Sequence, residues 1–262
     1  MQQIQTNSGV IHYRASEFAP TRKTVVFINS LGSDFRIWDG VVAALGDQFY
    51  VVLHDKAGHG LSDLRTGPST IPDYARDLEA LLMHLNLSHV ILCGISVGGL
   101  IAQSLYHKRP DLVRGMILSN TGLKIGTAEM WAARIAAIQA GGISSISDAI
   151  LERWFAPKYR SNKPTEHALY KNMLERTPQA GYLACCEAIR DADFTAQAAQ
   201  IAVPVLCIAG EHDGSTPPAL VEAMAVCIPH AKYELVSGAA HLPCIERPEH
   251  YAKLISNFIE SM

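Results

Sequence analysis

The sequence is poor in net charge and in long apolar runs, and each shortage excludes a class of protein. Charged residues make up 18% of the 262 residues and the formal net charge is −3, so no basic surface is available for nucleic acid or an anionic membrane. The most apolar stretch, Val90 to Ala102, has 13 residues and is too short to span a bilayer. Residues 1–6 are neither basic nor apolar, so we expect no signal peptide and a cytoplasmic location.

Cysteine is present, but in no pattern that predicts a metal site or a disulfide framework. Six cysteines are scattered without the spacing of metal ligands, and Cys185 and Cys186 are neighbours on a predicted helix. We therefore expect buried, reduced thiols and no bound metal. Internal repeats, low-complexity tracts and a second domain are also absent from the sequence, which favours one catalytic domain with an insertion.

The most informative segment is residues 94–98, Gly-Ile-Ser-Val-Gly, which follows the apolar run 90–93 and precedes a helix-forming stretch. A strand that turns into a helix through Gly-x-Ser-x-Gly is typical of the nucleophile elbow of α/β-hydrolases. The strained turn presents the serine hydroxyl at the helix N-terminus, and small residues on either side let strand and helix approach closely. The pattern therefore predicts Ser96 as a nucleophile.

A serine nucleophile needs a base and an acid, and in this fold the acid comes next along the chain and the histidine last. Asp213 and His241 follow the strand-like runs 203–210 and 233–236, and loops past strand ends are where active sites of open parallel sheets gather. We expect Asp213 to orient His241, and His241 to take the proton from Ser96. Two neighbours of the acid are interpreted as solvated loop residues instead: Glu211 and His212.

An oxyanion hole requires two backbone N–H groups aimed at the developing negative charge. One is expected from Val97, the residue after the nucleophile, and the other from Leu31, in the loop after the apolar run 24–28. Asn29 and Ser30 stand where relatives carry a His-Gly pair. Because the donor is a backbone group, this difference does not remove it.

Strand-like and helix-like segments alternate along the chain, which predicts a mostly parallel eight-stranded sheet with helices on both faces. From about 125 to 195 there is no strand signal, only four successive helix starts. We therefore predict an α/β-hydrolase core of residues 1–121 and 196–262, with a helical cap of residues 122–195 inserted after the sixth strand. The expected helix starts are Thr127, Ser147, Pro164 and Thr177.

The chain is similar over nearly its whole length to the 3-oxoadipate enol-lactonases, α/β-hydrolases of the β-ketoadipate route of protocatechuate and catechol catabolism. The similarity is most specific in three cap segments, 124–135, 151–155 and 188–193, and includes 213–218 and 240–244. Two departures are visible: Lys56-Ala57-Gly58 stands where Lys-Arg-Gly is usual, and Ala239-Ala240 precedes the histidine where Gly is more common. Neither removes a catalytic group.

The resemblance implies opening of 3-oxoadipate enol-lactone through an acyl-enzyme on Ser96, with no metal or organic cofactor. The substrate is a small lactone with a carboxylate arm, which needs a cationic or hydrogen-bonding partner in a mostly apolar pocket. On the first cap helix Trp131 and Arg134 share a face, so we expect Trp131 to wall the pocket and Arg134 to bind the carboxylate, with Trp154 a further substrate-binding residue. Arg153 and Arg190 are the alternative cations.

Three alternatives stay open. The first is that the protein is another serine hydrolase, such as an esterase, a perhydrolase or a different lactonase. The second is that it is a non-catalytic binding protein on the same fold. For the cap, the alternative is that Trp131 belongs to its core and Arg134 is a surface cation. A dehalogenase is disfavoured, because dehalogenases of this fold use an Asp nucleophile where this chain has Ser96. No oligomeric state is predicted.

Overall fold

The computed structural model describes residues 1–19, 21–65, 67 and 69–262. Eight strands form one sheet in the order β1-β2-β4-β3-β5-β6-β7-β8. The β1/β2 and β2/β4 pairs are antiparallel and the other pairs are parallel, which confirms the mostly parallel sheet. The strands are β1 (Gln2–Thr6), β2 (Gly9–Ala15), β3 (Thr24–Ile28), β4 (Tyr50–His54), β5 (Val90–Ile95), β6 (Val113–Ser119), β7 (Val205–Gly210) and β8 (Lys232–Val236).

From β3 onward, helices separate the strands, as the alternating pattern predicts. Within the described residues they are α1 (Asp39–Leu45), α2 (Ile71–His84), α3 (Val97–Lys108), α4 (Ala128–Gly141), α5 (Ser147–Trp154), α6 (Pro157–Asn162), α7 (Pro164–Glu175), α8 (Gln179–Arg190), α9 (Pro218–Cys227), α10 (Pro243–Glu246) and α11 (Pro248–Glu260). A short 3-10 helix, Phe35–Trp38, precedes α1.

Helix α2 shows how local sequence sets an element. Thr70 precedes it with extended backbone angles, and the Asp73 carboxylate accepts a hydrogen bond from the Thr70 N–H at 2.8 Å, which satisfies a donor at the helix start. The apolar residues at helical spacing are fully buried against the rest of the core. They are Leu78, Leu81 and Leu82.

The insertion between β6 and β7 contains five α-helices, α4 to α8, and no strand among its described residues. We call these the inserted helices. Four of them begin within two residues of the predicted starts, and Thr127 caps α4 by accepting from the Met130 N–H. The sequence pattern missed α6, which buries none of its residues and so has no apolar face to reveal it.

The expectation that every thiol is buried is wrong at one position. All six cysteines are free, and Cys227 at the end of α9 is exposed whereas the others are buried. Cys227 is the last residue of a helix whose buried side chains lie on the opposite face. Among the described residues, the helices are all too short or too polar to be candidates for crossing a membrane.

Candidate active site

Ser96 lies at the turn between β5 and α3 with backbone angles φ 58° and ψ −121°. Positive φ is strained for a residue with a Cβ and persists only where the surrounding structure holds the residue in place. The turn also brings chains very close: a Cβ on Gly94 would lie 2.3 Å from the Gly98 carbonyl oxygen, and one on Gly98 would lie 2.2 Å from that of Ile28. Both glycines of the motif are therefore required by space.

The sheet order explains why residues far apart in sequence meet beside Ser96. Neighbouring parallel strands end at one edge, so the loops that follow them are adjacent. From β4 to β8 the sheet order is β4-β3-β5-β6-β7-β8. The residues just beyond these strand ends are, in that order, Lys56, Leu31, Ser96, Asn120, Asp213 and His241.

The structure brings the predicted acid and base into direct contact. His241 Nδ1 lies 2.8 Å from Asp213 Oδ2, and both side chains are buried. A hydrogen bond at Nδ1 sets the ring orientation and leaves Nε2 for the second partner of the imidazole. His241 and Ser96 line the same cavity. Glu211 and His212 are exposed, as predicted.

Asp213 is held by a shell of donors that the sequence did not reveal. Its Oδ2 accepts from Asn120 Nδ2 at 2.9 Å and Thr216 Oγ1 at 2.7 Å, and its Oδ1 accepts from the backbone N–H groups of Ser215 and Thr216. Burial by itself would raise the pKa of this carboxyl, but His241 and the donors outweigh it, so the pKa lies below its usual value. The carboxylate is therefore kept ionised beside the imidazole.

Of the two predicted oxyanion donors, Val97 directly follows the nucleophile and Leu31 lies in the loop after β3, the strand beside β5. Val97 is the first residue of α3, so its N–H has no acceptor within the helix. Ser30 and Leu31 line the cavity that contains Ser96. Ser96 directly precedes the N-terminus of α3, where the helix dipole favours negative charge.

The cavity above Ser96 has a volume of about 60 Å³ and is walled by the inserted helices. All three predicted substrate-binding residues line it: Trp131, Arg134 and Trp154. Arg153 lines it as well, whereas Arg190 is paired with Asp191 at 2.7 Å and is not among the lining residues. The insertion between β6 and β7 contributes four further lining residues to this cavity: Ile125, Met130, Ile150 and Tyr182.

Trp131 serves both as packing and as cavity wall, so the two readings of this residue are compatible. It is 4% exposed and its indole Nε1 donates to the Ile125 carbonyl at 2.6 Å. Arg153 packs against Gly214, since a Cβ added to Gly214 would lie 3.2 Å from the Cγ of Arg153. Burial, and then the charge of Arg134, lower the pKa of Arg153, which places two cations close together at the cavity.

A larger groove of about 550 Å³ lies between α7 and the segment before α1. Its lining residues include Asp34, Arg36, Glu166 and Arg176 but neither Ser96 nor His241. Because chemistry needs the nucleophile, we assign the active site to the smaller cavity.

The sequence and the fold are both similar to those of known proteins. Residues 19–248 match the family described as serine aminopeptidase, S33. Two relatives from Acinetobacter baylyi are 3-oxoadipate enol-lactonase 2, 34% identical over 88% of this chain and 86% of that protein, and 3-oxoadipate enol-lactonase 1, 34% identical over 91% and 89%. The crystal structure of the enol-lactonase from Burkholderia xenovorans LB400 superposes with a TM-score of 0.95, at 33% identity, over 99% of this chain and 100% of that one.

Proposed function

Because the chain belongs to the serine aminopeptidase S33 family of α/β-hydrolases, in the branch that contains the 3-oxoadipate enol-lactonases, we propose that it opens 3-oxoadipate enol-lactone to 3-oxoadipate in aromatic catabolism. The family membership makes it a hydrolase of lactone or ester bonds. The identity of the substrate, the acyl-enzyme on Ser96 and the pathway are what we propose beyond the family membership.

The first half of the proposed reaction opens the ring. Ser96 Oγ attacks the lactone carbonyl as His241 takes its proton, and the N–H groups of Leu31 and Val97 receive the oxyanion. Collapse breaks the ring C–O bond and releases an enolate, whose oxygen takes the proton from His241. The resulting enol tautomerises to the ketone, and His241 is neutral again for the second half. Because the leaving oxygen is an enolate, it needs little help from a general acid.

The second half hydrolyses the acyl-enzyme. A water gives a proton to His241 and its oxygen attacks the acyl carbon, through a second oxyanion held by the same N–H groups. Ser96 leaves with the proton from His241, and 3-oxoadipate is released. Asp213 stays ionised throughout and stabilises the imidazolium, in keeping with its lowered pKa.

The observation that carries the substrate proposal is a pair of cations at the Ser96 cavity. Arg134 and Arg153 both line it, and neither is within ion-pair distance of a carboxylate in the described part of the chain. Unpaired guanidinium groups beside apolar and aromatic walls suit a small substrate with a carboxylate arm.

The test is a steady-state comparison of the purified protein on the enol-lactone and on p-nitrophenyl acetate, which has the ester but no carboxylate. The proposal predicts a kcat/KM at least 100-fold higher on the enol-lactone, since a paired carboxylate contributes roughly 3 kcal/mol. Equal values on both substrates would place the protein among general esterases, and no activity on either would favour a binding protein.

A further inference from the structure

Lys56 is a buried lysine that contacts the loop of the predicted oxyanion donor. It lies just beyond β4 and is 3% exposed. Its Nζ donates to the Ser30 carbonyl oxygen at 2.6 Å and to that of Ser33 at 3.3 Å. β3 and β4 are parallel neighbours, with Ile28 beside His54, so the loops that follow them meet at the active-site edge.

The contact bears on the oxyanion hole because the Ser30 oxygen and the Leu31 N–H belong to the same peptide group. The Ser30 carbonyl and the Leu31 N–H belong to one planar trans peptide and point in opposite directions. Fixing the oxygen on one side therefore fixes the N–H on the other. Ser33 Oγ also donates to the same oxygen, at 2.9 Å, so this acceptor is held by two side chains at once.

We propose that Lys56 is a positioning residue of the oxyanion hole: by holding the Ser30 carbonyl, it directs the Leu31 N–H toward the oxygen that becomes negative when Ser96 attacks. The inference rests on the proposed function, because it needs Ser96 as nucleophile and Leu31 as donor. The ammonium also polarises the peptide, which makes its N–H a stronger donor.

Lys56 is a buried ammonium with several ionisable neighbours. Burial lowers the pKa of Lys56 to about 8, which shows that the charge is held at a cost in stability. The titratable and charged groups that face it come from several elements. They are Asp34, His54, Asp55, His59 and Cys185.

The test uses Lys56→Met, which keeps the length of the side chain and removes the donor. Lys23→Met is the matched control, since Lys23 Nζ likewise donates to a backbone carbonyl, that of Ile259 at 2.7 Å, but far from the site. We expect kcat/KM on p-nitrophenyl acetate to fall about 10- to 100-fold in Lys56→Met, below the loss for deleting an oxyanion donor outright, and to be unchanged in Lys23→Met.

Binding of 1,1,1-trifluoroacetone separates positioning from general damage, because the ketone forms a tetrahedral adduct with serine whose oxygen occupies the oxyanion hole. The proposal predicts that its affinity falls by the same factor as kcat/KM. An unchanged affinity in Lys56→Met, or activity equal to wild type, overturns the inference alone. Wild-type protein that neither hydrolyses p-nitrophenyl acetate nor binds the ketone overturns the proposed function and the inference with it.

A second variant keeps the proposal testable even where Lys56→Met does not fold. Lys56→Arg retains the donor and remains charged at alkaline pH. Wild-type kcat should decline above about pH 8 as the Lys56 ammonium loses its proton, and the decline should be absent in Lys56→Arg. Superimposable profiles from pH 7 to 10 contradict a role for the ammonium.

Discussion

The Arg134 guanidinium carbon lies 4.9 Å from the centre of the Trp131 ring, over its face. A cation stacked on an aromatic ring is held by the ring quadrupole while its N–H edge stays available for hydrogen bonds. Because both residues also line the Ser96 cavity, we propose that the stack presents a preorganised donor edge to the substrate carboxylate.

Arg134→Ala should therefore impair the lactone selectively. Leaving a charged ligand group unpaired costs about 2–5 kcal/mol, which corresponds to roughly 30- to 4000-fold in kcat/KM on the enol-lactone. Hydrolysis of p-nitrophenyl acetate should change by less than about threefold, because the groups around the reacting carbonyl are intact. Steady-state kinetics on both substrates give the comparison.

Arg190→Ala is the control, because its side chain is paired with Asp191 at the surface of α8, and it should leave both activities unchanged. Equal losses on the two substrates in Arg134→Ala would mean that Arg134 supports the inserted helices and not the ligand. Loss in Arg153→Ala with none in Arg134→Ala would move the carboxylate to Arg153.

The proposed nucleophile and base should behave as one unit. Ser96→Ala and His241→Ala should each lower kcat by on the order of 10⁶-fold, and the double variant should be no worse, because either change alone removes the activated serine. Single-turnover and steady-state rates on the enol-lactone measure this. Multiplicative losses in the double variant would show that the two residues act independently.

The Asp213 carboxyl makes a pH-dependent contribution to the free energy of unfolding. Its folded-state pKa is below the ordinary value, since its donors and His241 outweigh burial. A depressed pKa stabilises the fold above the unfolded value of about 3.9, and the contribution is lost as the pH falls through the folded-state value. The stability gap between wild type and Asp213→Asn should therefore narrow below about pH 4.

Urea unfolding at pH 7, 5, 4 and 3 measures that gap. Asp47→Asn, at an exposed position after α1, is the control and should show a small gap that does not vary with pH. A gap for Asp213→Asn that widened as the pH fell would mean that the carboxyl is protonated in the native state, and the account of Asp213 would be wrong.

Glu246 ties the inserted helices to the loop of the proposed base. Its Oε1 accepts from the Ala156 N–H at 2.9 Å and its Oε2 from the Ala240 N–H at 2.6 Å. Glu246→Gln turns one acceptor into a donor that faces an N–H, so we expect a loss of about 1–3 kcal/mol in the free energy of unfolding. Glu249→Gln, exposed on α11, should be neutral. Denaturant midpoints matching wild type for Glu246→Gln would refute the link.

The parts of the fold that the sequence predicted are those with a short-range signal. Gly94, Gly98 and the apolar run before them identify the elbow, and Thr127 identifies the start of α4, because each feature depends on residues within one turn or strand. α10 has four residues and offers too little periodicity to be found.

The parts that sequence reasoning missed depend on contacts between distant segments. Lys56 and Ser30 are 26 positions apart, and Asn120 is 93 positions from Asp213, so only the strand order brings them together. The choice among three cap arginines depends on how each helix is rotated over the sheet, which no local pattern reports. Arg134 and Arg153 face the cavity whereas Arg190 turns to Asp191.

The central claim is that Ser96 is the nucleophile that opens the lactone, and stoichiometric labelling with a fluorophosphonate tests it most directly. Ser96 Oγ should attack the phosphorus and expel fluoride. The account predicts one label per chain, located by peptide mass spectrometry on Ser96, with enol-lactone hydrolysis falling in proportion to the labelled fraction and no label on Ser96→Ala. Full lactone hydrolysis by protein labelled completely at Ser96, or by Ser96→Ala, would contradict it.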